Sequence, residues 1–163
     1  MYKINDVVVY ENNGVYRIRD IGTPDFLNTT DQYYILQAVC NKEGTLYVKT
    51  GSNKLLMRAV IIRETAQQLL DKLPDLEPLY EENGRLRETQ YHEIIKSCKC
   101  ENCLRMLKGI LREEKRRAAL GKRLNISDER NLKTVLELLS AELSVALHEP
   151  IDEVKDRLKE LAV

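Results

Sequence analysis

The spacing of apolar residues changes once along this chain, near residue 62, and that change limits the folds open to it. Before it, apolar residues arrive in short runs rich in Val, Ile and Tyr, at 6–10, 14–21, 32–40, 45–50 and 58–62. Runs of that length and composition are strands, whose side chains alternate between two faces. Between them lie Glu11-Asn12-Asn13-Gly14, Gly22-Thr23-Pro24-Asp25, Asn41-Lys42-Glu43-Gly44 and Gly51-Ser52-Asn53. Each supplies a Gly or Asn for the positive φ that a tight turn requires. Five short strands joined this way predict antiparallel hairpins curled into a small SH3-like or Tudor-like barrel, a shape that removes most sheet edges.

From Arg63 the spacing becomes helical, with Ala66, Leu69, Leu70 and Leu73. Pro74 and Pro78 then interrupt it, because each disfavours helix in the residue before it, and 71–78 reads as a connecting stretch. Beyond it, 87–97 gives a helix with Tyr91, Ile94 and Ile95 on one face. Residues 101–120 give a second with Leu104, Leu107, Ile110 and Leu111, ended by Gly121. A third is written most clearly. Ser127 is its expected N-cap, Asp128 and Glu129 suit its positive end, and Leu132, Val135, Leu136, Leu139 and Leu143 recur at core spacing. After Pro150, Val154, Leu158 and Leu161 mark a short last helix over 151–161. The fold class is α+β in two domains: a five-stranded SH3/Tudor-like β-barrel at 1–65, a linker at 66–80, and an all-α domain at 81–163.

With 43% hydrophobic and 32% charged residues among 163, the chain is globular in composition. It has no run of about 18 apolar residues to cross a bilayer and no apolar stretch behind Met1 to serve as a secretory signal, so no membrane is expected and the protein is read as cytoplasmic. Lys and Arg balance Asp and Glu at 26 each, which argues against a binder that coats nucleic acid through bulk positive charge. The zero total conceals an asymmetry. Arg105, Lys108, Arg112, Lys115, Arg116, Arg117, Lys122 and Arg123 face only Glu113 and Glu114 in their stretch, and acids predominate from Glu137 onward.

Asp6-Val7-Val8-Val9-Tyr10, Gly14-Val15-Tyr16-Arg17-Ile18, Tyr33-Tyr34-Ile35-Leu36, Leu46-Tyr47-Val48 and Met57-Arg58, in that order, resemble the amino-terminal domain shared by CarD/CdnL transcription regulators and transcription-repair coupling factors. Leu86-Arg87-Glu88, Ser97, Asp128-Glu129-Arg130 and Ala141-Glu142-Leu143 resemble the CarD-type carboxy-terminal domain. The resemblance in both parts favours the CarD type over a helicase, which is expected to be far longer. The resemblance implies that 1–65 binds the RNA polymerase β subunit, partly by pairing a strand edge, and that the helical domain contacts promoter DNA at the upstream edge of the bubble. No cofactor is implied, and a monomer is expected.

Carried over by position, Pro24, Leu46, Tyr47, Val48 and Lys49 face the polymerase. Lys49 stands where many relatives have Pro, and Pro24 and Tyr47 where some have Arg, so the expected docking rests on main-chain pairing. Many relatives also insert a Trp beside the opened base pairs. This chain has none; Gly84 holds the position, and Tyr80 is the nearest aromatic. The candidate DNA contacts are Tyr80, Arg85, Arg87, Lys108, Arg112, Lys115, Arg116, Lys122 and Arg123. Basic side chains at phosphates carry no sequence code and predict salt-sensitive, largely nonspecific binding. For Tyr80 the plainer reading is packing between linker and helical domain.

Cys98-Lys99-Cys100-Glu101-Asn102-Cys103 provides three thiols, and a structural zinc takes four ligands, with His92 or Cys40 needed to complete the set. Reduced thiols with no metal are expected. His92 and His148 have no nucleophile motif beside them, and no phosphate-cradling or dinucleotide-binding glycine pattern occurs, so no catalytic residue is assigned and the chain is read as no enzyme. Two competing readings remain: a thiol- or zinc-dependent sensor using 98–103, and a protein-only interaction module on the polymerase.

Overall fold

Alternation across the pleat accounts for the first unit. The computed structural model describes residues 1–40, 44–52 and 57–163. Its strands are β1 (Val7–Tyr10), β2 (Gly14–Gly22), β3 (Tyr33–Ala38), β4 (Thr45–Lys49) and β5 (Met57–Ala59). They pair antiparallel in the order β4-β3-β2-β1-β5. Val8 lies opposite Tyr16, Ile18 opposite Leu36, and Leu36 opposite Leu46. With Tyr34 the first four of these form the buried core, and Leu46, Val48 and Met57 pack against it. A bulge between Ile18 and Asp20 shifts the β2–β3 register, which bends and twists the longest strand.

Gly14, at φ +110°, turns the chain from β1 into β2, where a side chain would be strained. The Tyr2 hydroxyl donates to the Met57 carbonyl at 3.0 Å, tying the amino terminus to β5. All five expected strands are present. Closure is not: among the described residues the sheet is open, with β4 and the three-residue β5 as its edges. Of the expected turns, 41–43 and Asn53 lie outside the described residues.

The two compact units are Met1–Val60 and Ile61–Val163. The second contains α1 (Arg63–Lys72), α2 (Gly84–Ser97), α3 (Cys100–Ala119), α4 (Ile126–Leu147) and α5 (Ile151–Leu161). Its interior is filled by Leu70 and Leu73, Tyr91, Leu104, Met106, Leu107 and Ile110, Val135, Leu143 and Leu147, and Val154 and Leu158. The longest helix, α4, packs against α1, α2, α3 and α5. Its cap is Asn125 and not Ser127: the Asn125 Oδ1 accepts the Asp128 N–H at 2.8 Å, the bond a capping side chain makes two or three residues ahead.

Residues 66–80, expected as a linker, contribute Ala66, Leu70 and Leu73 to this interior. The prolines do stop the helix. The extended chain beyond them is then docked along one stripe of α3, formed by Arg105, Lys108 and Gly109. The Arg105 carbonyl accepts the Leu79 N–H at 3.0 Å, its Nε donates to the Glu77 carbonyl at 3.0 Å, and Lys108 Nζ donates to the Leu73 carbonyl at 3.0 Å. Gly109 permits the approach, since a Cβ there would lie 2.1 Å from the Leu79 oxygen.

Helix propensity alone predicts that Gly109→Ala stabilises by about 1 kcal/mol. Overlap with fixed backbone outweighs that gain, because overpacking costs roughly 1–3 kcal/mol and the stripe has nowhere to move. We expect Gly109→Ala to lower the denaturant midpoint; a raised midpoint would show that the 77–80 segment is not held as described.

Candidate functional site

Pleat direction divides the expected polymerase-facing residues. β4 is an edge strand, so among the described residues its outward row of N–H and C=O groups has no partner strand. Leu46 and Val48 turn inward onto the core, while Tyr47, 41% exposed, turns outward. Lys49 Nζ reaches Asp31 Oδ2 at 2.7 Å, an exposed pair of the kind worth little to stability. Pro24 is buried, and its carbonyl accepts the Leu27 N–H at 3.0 Å. The residue presented instead is Phe26, 66% exposed, whose ring meets Tyr47 edge-on with centroids 5.0 Å apart. Sequence reading passed over Phe26, although a lone Phe placed in a turn was a signal.

In the helical unit, three of the expected DNA contacts have partners within the fold, Arg87 and Lys108 buried and Tyr80 half-buried. The Asn83 Oδ1 accepts the N–H groups of Arg85 and Leu86, which starts α2 and fixes Arg87 in its first turn. Arg87 is 5% exposed. Its Nε and Nη2 donate to the Asp128 Oδ1 and Oδ2 at 2.9 and 3.0 Å, and its Nη1 donates to the Glu81 carbonyl at 2.8 Å. Its guanidinium lies 4.5 Å from the Tyr80 ring centroid. The Tyr80 hydroxyl donates to Asp128 Oδ2 at 3.0 Å. Burial first, then that bond, pushes the Tyr80 hydroxyl up to about 12. Tyr80 thus packs on Arg87 and Asp128 in this structure. Beside this cluster Tyr91 is fully buried, and its hydroxyl has no hydrogen-bond partner among the described residues.

Lys108 is the third. At 2% exposed it directs its ammonium at main-chain carbonyls, and burial, followed by the charge of Arg112, holds its pKa below the ordinary lysine value. Arg85, Arg112, Lys115, Arg116, Lys122 and Arg123 remain exposed. They occupy the start of α2, the second half of α3 and the turn that follows it. In that turn Gly121 adopts φ +69° and the Lys122 N–H bonds the Arg117 carbonyl at 2.9 Å. Arg116 is shared: with Arg117 it clamps the buried Glu113, at 2.7 Å each. The Arg116 bond, then that of Arg117, holds the Glu113 carboxyl well below its usual range, at about 2. Among the described residues no group of three or more His, Cys, Asp or Glu is placed to hold a metal, and no helix is long and apolar enough to cross a membrane.

The sheet, open among the described residues with β4 at its edge, occupies the region where sequence comparison gives a result. Residues 2–61 match the family model of the CarD-like/TRCF RID domain. Those residues are a CarD-like domain. The match supports a transcription-related, RNA polymerase-interacting role for that domain, which coincides with the sheet unit to within a residue. No curated protein matches the chain.

Removing one partner of a buried ion pair typically costs about 3–5 kcal/mol, because the other charge is left uncompensated. Arg87→Ala should therefore lower unfolding free energy by about that much in chemical denaturation; a drop of less than about 1 kcal/mol would mean that Asp128 is solvated. Glu113 gives a prediction in pH. Its folded pKa is depressed from 4.5 to about 2, so its contribution is complete above pH 4.5 and is lost as pH falls towards 2. With Arg116 exposed, that contribution is about 1–2 kcal/mol. Glu113→Gln should be less stable than wild type at neutral pH, and the gap should close between pH 4.5 and 2.

Proposed function

We propose that this protein is a transcription regulator that binds the RNA polymerase β subunit through its CarD-like domain and stabilises the promoter open complex through nonspecific contacts of the helical unit with upstream DNA. The observation that carries the reading is the match of residues 2–61 to a polymerase-interacting domain. The bare edge of β4 supports docking by strand addition, in which main-chain groups supply affinity whatever the side chains are. Tyr47 and Lys49 then decorate that interface, and Leu46 and Val48 support it from below.

The DNA half is supported by the six exposed cations, Arg85, Arg112, Lys115, Arg116, Lys122 and Arg123. With Tyr80 and Arg87 engaged internally, binding is to phosphates, and an effect on the open complex comes from charge held close to DNA by the polymerase tether. Catalysis plays no part in this reading.

Two measurements test the halves separately. The full chain should retain the polymerase β lobe in a pull-down at low salt; absence of binding removes the reading at its base. Arg112→Glu combined with Lys115→Glu should shorten open-complex lifetime and reduce the slope of log lifetime against log salt by about one for each phosphate that is no longer neutralised. Lifetime and slope both unchanged, with polymerase binding intact, would favour a helical unit that holds a protein and never touches DNA.

A further inference from the structure

The junction of α2 and α3 gathers three thiols that the polymerase and DNA reading does not use. Cys100 is the first residue of α3 and Cys103 completes its first turn, the Cys103 N–H bonding the Lys99 carbonyl at 3.0 Å. Residues three apart on a helix share a face. Cys100 is half-buried and so reachable, while Cys103 is 4% exposed with its sulfur on the Ile94 carbonyl at 3.9 Å. The Lys99 side chain makes no capping bond, which leaves the positive end of a twenty-residue helix acting directly on Cys100, a setting that favours thiolate. The buried carboxylate of Glu142 opposes it: Glu142 Oε2 accepts the Cys100 S–H at 3.1 Å, and Oε1 accepts the Ile61 N–H at 3.1 Å. Glu142 therefore positions the sulfur. Cys98 belongs to the other helix. It ends α2 in the left-handed conformation, φ 52°, with its sulfur on the Ile95 carbonyl at 3.3 Å.

We propose that Cys100 and Cys103 form a redox-active dithiol that exchanges with small-molecule disulfides of the glutathione type. Cys100 attacks one sulfur of the disulfide as its thiolate, its proton having gone to water. The departing thiolate takes a proton from water and a mixed disulfide remains on Cys100. Cys103 then attacks the Cys100 sulfur, and the second thiolate leaves with the Cys103 proton. The protein dithiol is oxidised to a disulfide, and the small disulfide is reduced to its two thiols. Closure needs the first turn to tighten, since Cβ atoms three residues apart on a helix stand about 5–6 Å apart and a disulfide holds them at about 3.5–4.5 Å. An end with no side-chain cap yields most readily.

The test is titration of the reduced full-length chain with oxidised glutathione, followed by alkylation and mapping of peptides by mass. The expected product is a Cys100–Cys103 disulfide, with Cys98 and Cys40 still alkylated. Cys103→Ala should instead accumulate a glutathionyl adduct on Cys100, and Cys98→Ser should leave the exchange unchanged. Cys100 and Cys103 remaining fully alkylated in the wild type, or a bridge that includes Cys98 or Cys40, would overturn the assignment. Because the mapping needs neither polymerase nor DNA, its failure is separate from any failure of the transcriptional reading.

Discussion

The helical unit depends on the ion pair between Arg87 and Asp128. Each charge sits in the first turn of its helix, α2 and α4, and both are almost wholly out of water. An isolated buried charge would be prohibitively unfavourable, so the pair persists only because its remaining donors and acceptors are matched. Arg87 gives a further hydrogen bond to the Glu81 carbonyl, and Asp128 receives one from Tyr80. A second link between the same helices runs alongside: Glu88 accepts from the Ser127 hydroxyl and from Asn131 at 2.9 Å. Together these fix which end of α2 meets which end of α4. Apolar packing alone would set that register loosely, because Leu and Ile tolerate sliding where a bidentate pair does not.

The same logic governs the chain that precedes α2. Segment 73–79 contains two prolines and cannot continue α1, yet its carbonyls turn onto α3, that of Leu73 out of bulk water. Buried carbonyls need donors. Arg105 and Lys108 supply them from one stripe of α3, and Gly109 in that stripe lets the backbone come close enough for the bonds to form. This also explains the lysine, whose burial would otherwise be a liability: it acts as a donor to main-chain oxygens.

This arrangement shows where sequence reading succeeds and where it stops. Strand and helix positions were legible because burial imposes periods of two and 3.6 on the apolar residues: Val8, Tyr16, Ile18 and Leu36 on one face of the sheet, and Leu139, Leu143 and Leu147 along α4. Basic residues carry no such period. Arg87 and Lys108 read like Arg85 and Arg112 in a row of charges, and only the fold decides which ones meet Asp128 or a row of carbonyls and which meet solvent. Gly109 was visible as a glycine inside a helix, but its partner, the Leu79 carbonyl, lies thirty residues away in sequence. Pro24 and Phe26 were separable only once the turn between β2 and β3 was built. Leu86-Arg87-Glu88 and Asp128-Glu129-Arg130, which carry the resemblance in the helical part, are the two ends of one interior contact. They speak for the architecture more than for a nucleic-acid surface.

Under the proposed function, that distinction narrows how the helical unit would meet DNA. With Tyr80 stacked on Arg87 and bonded to Asp128, inserting its ring between bases would break interactions that hold α2 to α4. Base stacking on an aromatic is worth about 1–3 kcal/mol, while leaving its place would cost Tyr80 a cation–π contact of about 0.5–2 kcal/mol and a hydrogen bond to a charged group of about 1.5–3 kcal/mol. The balance favours leaving Tyr80 in place and reaching DNA with the cations that the interior does not require. Such interactions are individually weak and sensitive to salt, and they become effective when the neighbouring domain is already held on the polymerase. A domain with a bare strand edge and a helical unit with a set of solvated surface charges thus suit one another energetically: the first supplies the address, and the second needs only proximity.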